Sequence, residues 1–574
     1  MKPLYIAFIW NQHQPFYQDT VKKEYIMPWV RLHATKDYYQ MAAILRHYPQ
    51  IHQTFNLTPS LLKQLEDYLQ GADDYYLRVM KPVAELTQAD KRFLLQHYFD
   101  IHWERVIRLW PRYDQLLAKQ GHRKEPASVD AALSHFTAQD YLDLQVWFNL
   151  VWIDPEVREN DPQLRALQQK GRYFTEEDKQ LVLQKQWEII RQVIPVHKEL
   201  AAKGQIELIT TPYYHPIMPL IIDTRIALRS TPGLQLPDTF SYPEDAAEQL
   251  MRAISQFHHY FGSFPQGVWP PEQAVSPETL LLFAEYGFTW TVSDEDILAH
   301  SLQIEFYRDS FGHVLNADEL YRPYKVKMGN REIAILFRDH HLSDRIGFVY
   351  HQMPLDHAVD DLLHRFHKIR EAVSNCEGPH LVTLALDGEN AWEWYPNDKN
   401  EFLHKLYSRL SQEKLLQTVT VSEFLRKYPP ERQLQHLHSG SWVDHSMTRW
   451  IGSQSKNELW QMLLAAREML EEIRGKVTPE QLLNAKENLL IAEGSDYTWW
   501  VDSMPYYLAA PFEALFRKHL INVYRSCGRN VPLNLQQPII QPQYGEPVWT
   551  EDPLAGPTAM VQREGSAALN KQET

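Results

Sequence analysis

The chain has 574 residues, too many for one ordinary domain and enough to bury a large core. Its 58 basic and 73 acidic residues give a net charge of −15. That balance argues against nucleic acid and anionic membrane as main partners, because phosphate recognition needs basic patches. The two cysteines, Cys376 and Cys527, imply no disulfide framework and suit a reducing compartment.

In chain order, Leu4 to Trp10 reads as a buried first strand, and Ile51 to Leu57 as a second. The N-terminal apolar run is too short and too aromatic for a secretory segment, and no stretch approaches a membrane span. The expectation is a soluble, cytoplasmic protein. A helical insertion is predicted over about 60–203. Its last helix, Thr175 to Lys203, opens on a Thr-x-x-Asp capping box and ends at Gly204. Strand and helix then alternate. Strands are predicted at Ile206–Thr210, Gly267–Trp269, Phe288–Val292, Ile333–Arg338 and Leu381–Leu386. Helices are predicted at Glu244–Phe261, Pro277–Tyr286 and Leu355–Ser374. Repeated β and α units argue for a parallel sheet with helices outside it. About seven units, with no G-x-G-x-x-G after the first strand, suggest a closed barrel rather than an open dinucleotide-binding sheet. The barrel domain is expected to span 1–430. A helical C-terminal domain over 431–529 follows, built from Lys456–Ile473, Pro479–Ile491 and Tyr507–Ser526. The Pro-, Gln- and Gly-rich stretch 530–574 reads as an irregular tail.

Five segments carry chemistry where strands or helices end. WNQHQPFY places His13 and Gln14 just beyond the first strand, where imidazole and amide groups can bind hydroxyls. A histidine at a strand end also serves structure alone. GQIELITTPYYHPIMPLI brings Tyr213, Tyr214 and His215 onto a proline-stiffened loop, either a ligand wall or a packing corner. In GVWPPEQ, Trp269 closes a short strand and two prolines aim Glu272, which suits a nucleophile that must face one carbon. The plainer account of Glu272 is a carboxylate at the start of the next helix. LVTLALDGENAWEWYP delivers Asp387, Glu389 and Glu393 together with Trp392, Trp394 and Tyr395, acids for chemistry and flat rings for a ring-shaped ligand such as a sugar. AEGSDYTWW groups Glu493, Asp496, Trp499 and Trp500, a contribution from the helical domain to a cleft at the junction. In FRDHHLSDRIGF, His340 and His341 invite a metal reading, but adjacent histidines seldom converge on one ion, and no metal-ligand spacing is found.

These segments, in order over roughly residues 4–502, resemble glycoside hydrolase family 57, and most of all its amylopullulanase and α-amylase branch. The resemblance implies an incomplete (β/α)7 barrel with helical insertions, followed by an all-α C-terminal domain. It implies an α-glucan substrate, retaining chemistry through a glycosyl-enzyme intermediate, and no cofactor or metal. Residue by residue it puts the nucleophile on Glu272 and the general acid/base on Asp387. His13, Gln14, His215, Trp269, Glu389, Trp392, Asp496 and Trp499 are candidates for substrate binding or support. The bond cleaved is expected to be α-1,4, with α-1,6 left open, and oligomeric state is not read from the sequence. A 4-α-glucanotransferase or branching-type transglycosylase using the same intermediate is the nearest alternative. Outside the family stand a metal-dependent polysaccharide deacetylase with His13, Asp339 and His340 as ligands, and a glucan-binding protein without turnover.

Overall fold

A computed structural model describes residues 2–122 and 126–542. Seven parallel strands form a ring: β1 (Leu4–Gln12), β2 (Gln53–Leu57), β3 (Ile206–Ile209), β4 (Gly267–Val268), β5 (Trp290–Asp294), β6 (Arg331–Arg338) and β7 (Leu381–Asp387). β1 pairs with both β7 and β2, β2 with β3, and β5 with both β4 and β6. Single bridges complete the circuit, Thr210 with Val268 and Arg338 with Thr383. The barrel expected from the sequence is therefore present, nearly closed, with β3–β4 and β6–β7 as its weakest seams.

Side-chain parity explains what the barrel holds. Successive residues of a strand point to opposite faces. Along β1, Tyr5, Ala7 and Ile9 fill the interior with Ile209, Trp290, Val292, Leu336 and Ala385. Leu4, Ile6, Phe8 and Trp10 pack outward on the helices. Continuing each inward set by one step brings Asn11, Asp294, Arg338 and Asp387 to the carboxyl ends of their strands. The register aligns Asn11 with both Asp387 and Asn56, and Arg338 with Asp294. The apolar interior thus ends in a polar layer, on the face where barrel enzymes do chemistry.

Gly267 sits inward against Trp290, and a Cβ there would meet the indole at 2.2–2.8 Å. Trp290 is fully buried and bonded to Glu207 Oε1 at 3.0 Å, so it has nowhere to move. Gly267→Ala is expected to cost about 1–3 kcal/mol, read as a lowered denaturant midpoint. An unchanged midpoint would contradict this packing.

The insertion after β2 is helical almost throughout and has its own core, around Phe93, Tyr98, Trp147 and Phe148. Its last helix, Glu176–Ala202, starts on the expected box, Thr175 with Asp178. The sequence reading omitted three short strands at the barrel, Tyr324–Met328 antiparallel to β6, Leu416–Thr418 beside β1 and Arg432–Leu434 beside Tyr324–Met328, and a separate small sheet of Gln18–Asp19, Glu24–Tyr25 and Asp73–Asp74. From Gln454 the described chain is helical: Gln454–Ile473, Pro479–Ala492, Ser495–Trp500 and Tyr506–Ser526. No helix among the described residues is long and apolar enough to cross a membrane. Of the tail expected over 530–574, a short turn, Leu533–Gln536, is held to the last helix by Arg517 Nη1 donating to Leu535 O at 3.2 Å. Residues 543–574 lie outside the described residues.

Candidate active site

Glu272 and Asp387 reach the same cleft by different local devices. Glu272 follows β4 and two prolines, and its backbone is left-handed, φ 54°. Non-glycine residues hold that conformation only when surroundings fix it, and such strain gathers at functional sites. Here Trp442 N donates to Glu272 O at 3.2 Å, and Ser293 Oγ donates to Gln273 O at 2.9 Å. The carboxylate is fixed too, by Trp442 Nε1 donating to Oε2 at 2.8 Å. Asp387 ends β7 and accepts from Asn11 Nδ2 at 3.1 Å and Asn390 Nδ2 at 2.9 Å. Asn56 Nδ2 in turn donates to Asn11 Oδ1 at 2.7 Å, so the polar layer orients its own acid. Gly388 is needed for close approach rather than for an unusual φ: a Cβ would stand 3.1 Å from Gln12 Cγ and 3.4 Å from Asn11 O.

The two acids feel each other. Burial, then the charge of Asp387, push Glu272 up to about 8, against the opposing Trp442 hydrogen bond. Burial also lifts Asp387, opposed by Asn11 and His13. A shift of Glu272 to about 8 favours its protonated form at neutral pH, the reverse of the ionised nucleophile the resemblance implies.

A second set of residues ties three distant segments around this pair. His13 Nε2 meets Asp496 Oδ1 at 3.0 Å, and the His13 and His215 rings stack with centroids 3.8 Å apart. His215 Nδ1 lies 2.9 Å from Ser495 Oγ, and Ser495 N donates to His215 O at 3.0 Å. Gly494 permits this docking, because a Cβ would stand 2.8 Å from Tyr214 O. Burial works against a charge on His13, but the Asp496 carboxylate overcomes it and raises its pKa. His215 is held neutral by burial and by the charge of His13. Glu389 Oε1 accepts from Tyr38 OH at 3.0 Å, Gln14 Nε2 at 3.2 Å and His13 N at 3.3 Å. Burial, then the charge of Asp387, push Glu389 far above the carboxylate range, so it joins segments as a neutral acid.

The sequence candidates do not all face the cleft. Trp269 and Trp392 are fully buried and present no ring face to a ligand, which removes them as sugar platforms. Trp269 meets Trp442 edge to face at 5.6 Å, and Trp392 packs on Trp10 while donating Nε1 to Gly388 O at 2.7 Å. Trp499 is half-buried under the Arg449 guanidinium, 4.6 Å from its ring centroid. The ligands of the metal reading separate into different networks. Asp339 accepts from Tyr321 OH at 2.7 Å, and His340 bridges Asp294 and Asp344 at 3.2 and 2.9 Å. His13, His215 and Asp496 do gather ligating atoms within 4.8 Å. Their imidazoles lie nearly parallel, 14° apart, so the ring lone pairs run side by side instead of converging as a tetrahedral ion requires.

Trp442 is the residue that sequence reasoning missed. It lies 170 positions from Glu272 in a segment without periodicity, and no local signal marks it. Arg338 stacks on its ring at 4.7 Å and is itself held by Asp294 at 2.6 Å. Asn11 could have been found by extending the inward parity of β1 one step past Ile9. Trp442→Phe keeps the ring but deletes the donor that favours ionised Glu272. The pKa of Glu272 should rise, moving the alkaline limb of the kcat/KM profile to higher pH, with kcat down about tenfold. An alkaline limb that stays in place would show that this hydrogen bond does not tune Glu272.

The family model described as glycosyl hydrolase family 57 matches residues 7–436. An α-amylase of Pyrococcus abyssi is 22% identical over 263 residues, 45% of this chain and 32% of that protein, so the chain matches about a third of that relative's length. Among solved structures, a GH57 branching enzyme from Thermococcus kodakaraensis aligns over 92% of this chain and 90% of its own, with a TM-score of 0.57 and 17% identity. The α-amylase AmyC from Thermotoga maritima aligns over 93% and 96%, with a TM-score of 0.55 and 12% identity. At these identities the structural likeness is one of fold, whereas the family model covers most of the sequence. The chain belongs to glycosyl hydrolase family 57.

Proposed function

We propose that this chain is a retaining glycoside hydrolase acting on α-glucans, with α-1,4 bonds as the first candidate and α-1,6 bonds as the second. The observation that carries the reading is the pair of half-buried acids, Glu272 and Asp387, set beyond the carboxyl ends of barrel strands, with Glu272 shifted upward by burial and by the charge of Asp387. Cleavage with retention needs one carboxylate to attack the anomeric carbon and one acid to protonate the departing oxygen. Glu272 is the nucleophile: its rigid turn and the Trp442 hydrogen bond fix its aim. Asp387 is the acid, then the base that activates water. The singly protonated pair is the working species. Positive charge growing on the sugar favours ionised Glu272, and Asp387 carries the proton that the leaving oxygen takes. The His13–Asp496 pair and the partly exposed Trp499 form the wall that meets sugar hydroxyls, with Gln14, His215, Trp269, Glu389 and Trp392 holding that wall from behind.

The family likeness to an α-amylase and to a branching enzyme leaves the acceptor as the deciding question. Water as acceptor gives a hydrolase, and a sugar hydroxyl gives a transglycosylase through the same intermediate. Incubation with maltoheptaose, amylose and pullulan, followed by chromatography, decides between them. The expected result is shorter chains with new reducing ends. Products longer than maltoheptaose without new reducing ends would replace this reading by the transferase, and no change in any substrate would overturn both.

A further inference from the structure

Behind the DGENAWEWYP loop, a cavity of about 620 Å³ opens between the helical insertion and the residues that follow β7. None of Glu272, Asp387, His13 or His215 lines it, whereas Glu393 and Tyr395 do. Its most unusual wall residue is Arg158, only 5% exposed, whose Nε and Nη1 are buried without a hydrogen-bond partner. Burial pushes this guanidinium down to about 10, despite the favourable charges of Asp154 and Asp398. Unpaired buried donors are rare and call for a partner. Arg105 lines the same cavity, and among the described residues neither arginine has an ion pair; Arg105 reaches only the His351 carbonyl, at 3.4 Å.

Most of the acids on these walls are already engaged. Glu156 pairs with His404 at 2.9 Å, Asp398 with Lys36 and Lys399 at 2.5 and 2.9 Å, and Glu401 with Lys405 at 3.8 Å. Glu159 reaches Arg165 at 4.0 Å, and Glu393 lines the cavity without an ion pair among the described residues. The two guanidinium groups, Arg158 and Arg105, are thus cations without a carboxylate of their own, and such groups suit a phosphate. The same walls carry the opposite need: Gln168 Oε1 and Asn400 Oδ1 are buried acceptors without donors. The Trp110 ring, stacked 5.6 Å from Arg158, adds a flat apolar surface. A ligand that satisfies all three features accepts from arginines, donates from hydroxyls and lies against an aromatic ring.

We propose that this cavity is a binding site for a sugar phosphate, separate from the catalytic cleft. Its phosphate is held by Arg158 and Arg105, and its hydroxyls by Gln168 and Asn400 against Trp110. Titration calorimetry of the full chain with glucose 1-phosphate, inorganic phosphate and glucose tests it. Glucose 1-phosphate should bind saturably at one site, more tightly than phosphate, with no heat from glucose, and excess maltoheptaose should not displace it. Arg158→Gln should weaken binding by about tenfold or more, as expected for loss of a charged hydrogen bond. Arg105→Gln, at a half-buried site where folding is not at risk, should weaken it too. Equal binding of phosphate and glucose 1-phosphate would overturn the sugar assignment. No binding of either phosphate, displacement by maltoheptaose, or binding unchanged in both variants would overturn the site.

Discussion

Glu272→Gln should lower kcat on maltooligosaccharides by about 10⁴-fold or more, because an amide cannot attack the anomeric carbon to form a covalent intermediate. Asp387→Asn should cost about 10²–10⁴-fold, the usual range for loss of general acid–base help. The two variants separate on a maltooligosyl fluoride, whose leaving group needs no proton. The Asp387 variant should recover much of its first step on that substrate, and the Glu272 variant none. Circular dichroism and thermal scans should match the wild type, since amides keep the hydrogen bonds from Trp442 and from Asn11 within reach. If purified Glu272→Gln turned over at near wild-type rate, the nucleophile would have to be sought elsewhere. Wild-type kcat/KM should also fall above about pH 8, where Glu272 loses the last proton of the pair. On the acid side it should fall again as both carboxyls become protonated.

The parts legible in the sequence are those written in local pattern. β1 and β7 are apolar runs long enough to stand out, and the Thr175–Asp178 box fixes where the long helix begins. Polar residues crowding the ends of those runs pointed to the carboxyl-end face of the barrel, where the register sets Asn11 beside Asp387 and Arg338 beside Asp294. Contacts between remote segments were hidden. The docking of Ser495 on His215 and of Trp442 on Glu272 spans 280 and 170 positions, and neither leaves a trace in periodicity. Burial was hidden too. Trp392 and Trp394 look alike in WEW, yet the first is fully buried and the second half-buried, because the turn there points the two rings in different directions. The strand Tyr324–Met328 was missed because its lysines, Lys325 and Lys327, read as surface. In the sheet they alternate with Tyr324 and Val326, which are buried.

The loop that begins at Asp387 ends in a second device that alternation and helix signals do not reveal, and its removal should carry a large stability cost. Lys399 is fully buried, with Nζ 2.8 Å from Asp154, 2.9 Å from Asp398 and 3.4 Å from Asp37, and it donates to Lys36 O at 2.6 Å. Lys36 supplies the second cation, 2.5 Å from Asp398 and 3.3 Å from Asp37. These contacts fasten the end of the catalytic loop to the insertion, since Asp154 also caps the helix Pro155–Asn160. Lys399→Met fills the space but leaves the three buried carboxylates with only one of their two lysines, and should cost about 3–5 kcal/mol at neutral pH. The pH dependence has a definite sign. In the wild type, burial opposes the charge on Asp37 and Asp398, but the two lysines win and hold both below the usual carboxylate range. Their contribution is present above the unfolded value of about 4 and is lost as pH falls through the lower folded values. Without Lys399 the folded pKa values rise, so the folded state takes up protons sooner. The deficit relative to wild type should then be largest near pH 7 and narrow as pH approaches about 4. Adding Asp154→Asn should return part of the loss at pH 7, because it removes one of the uncompensated charges. Denaturant titrations of the single and double variants at pH 7 and pH 5 would measure this. A deficit that grows on acidification would mean that Lys399 acts through packing rather than charge.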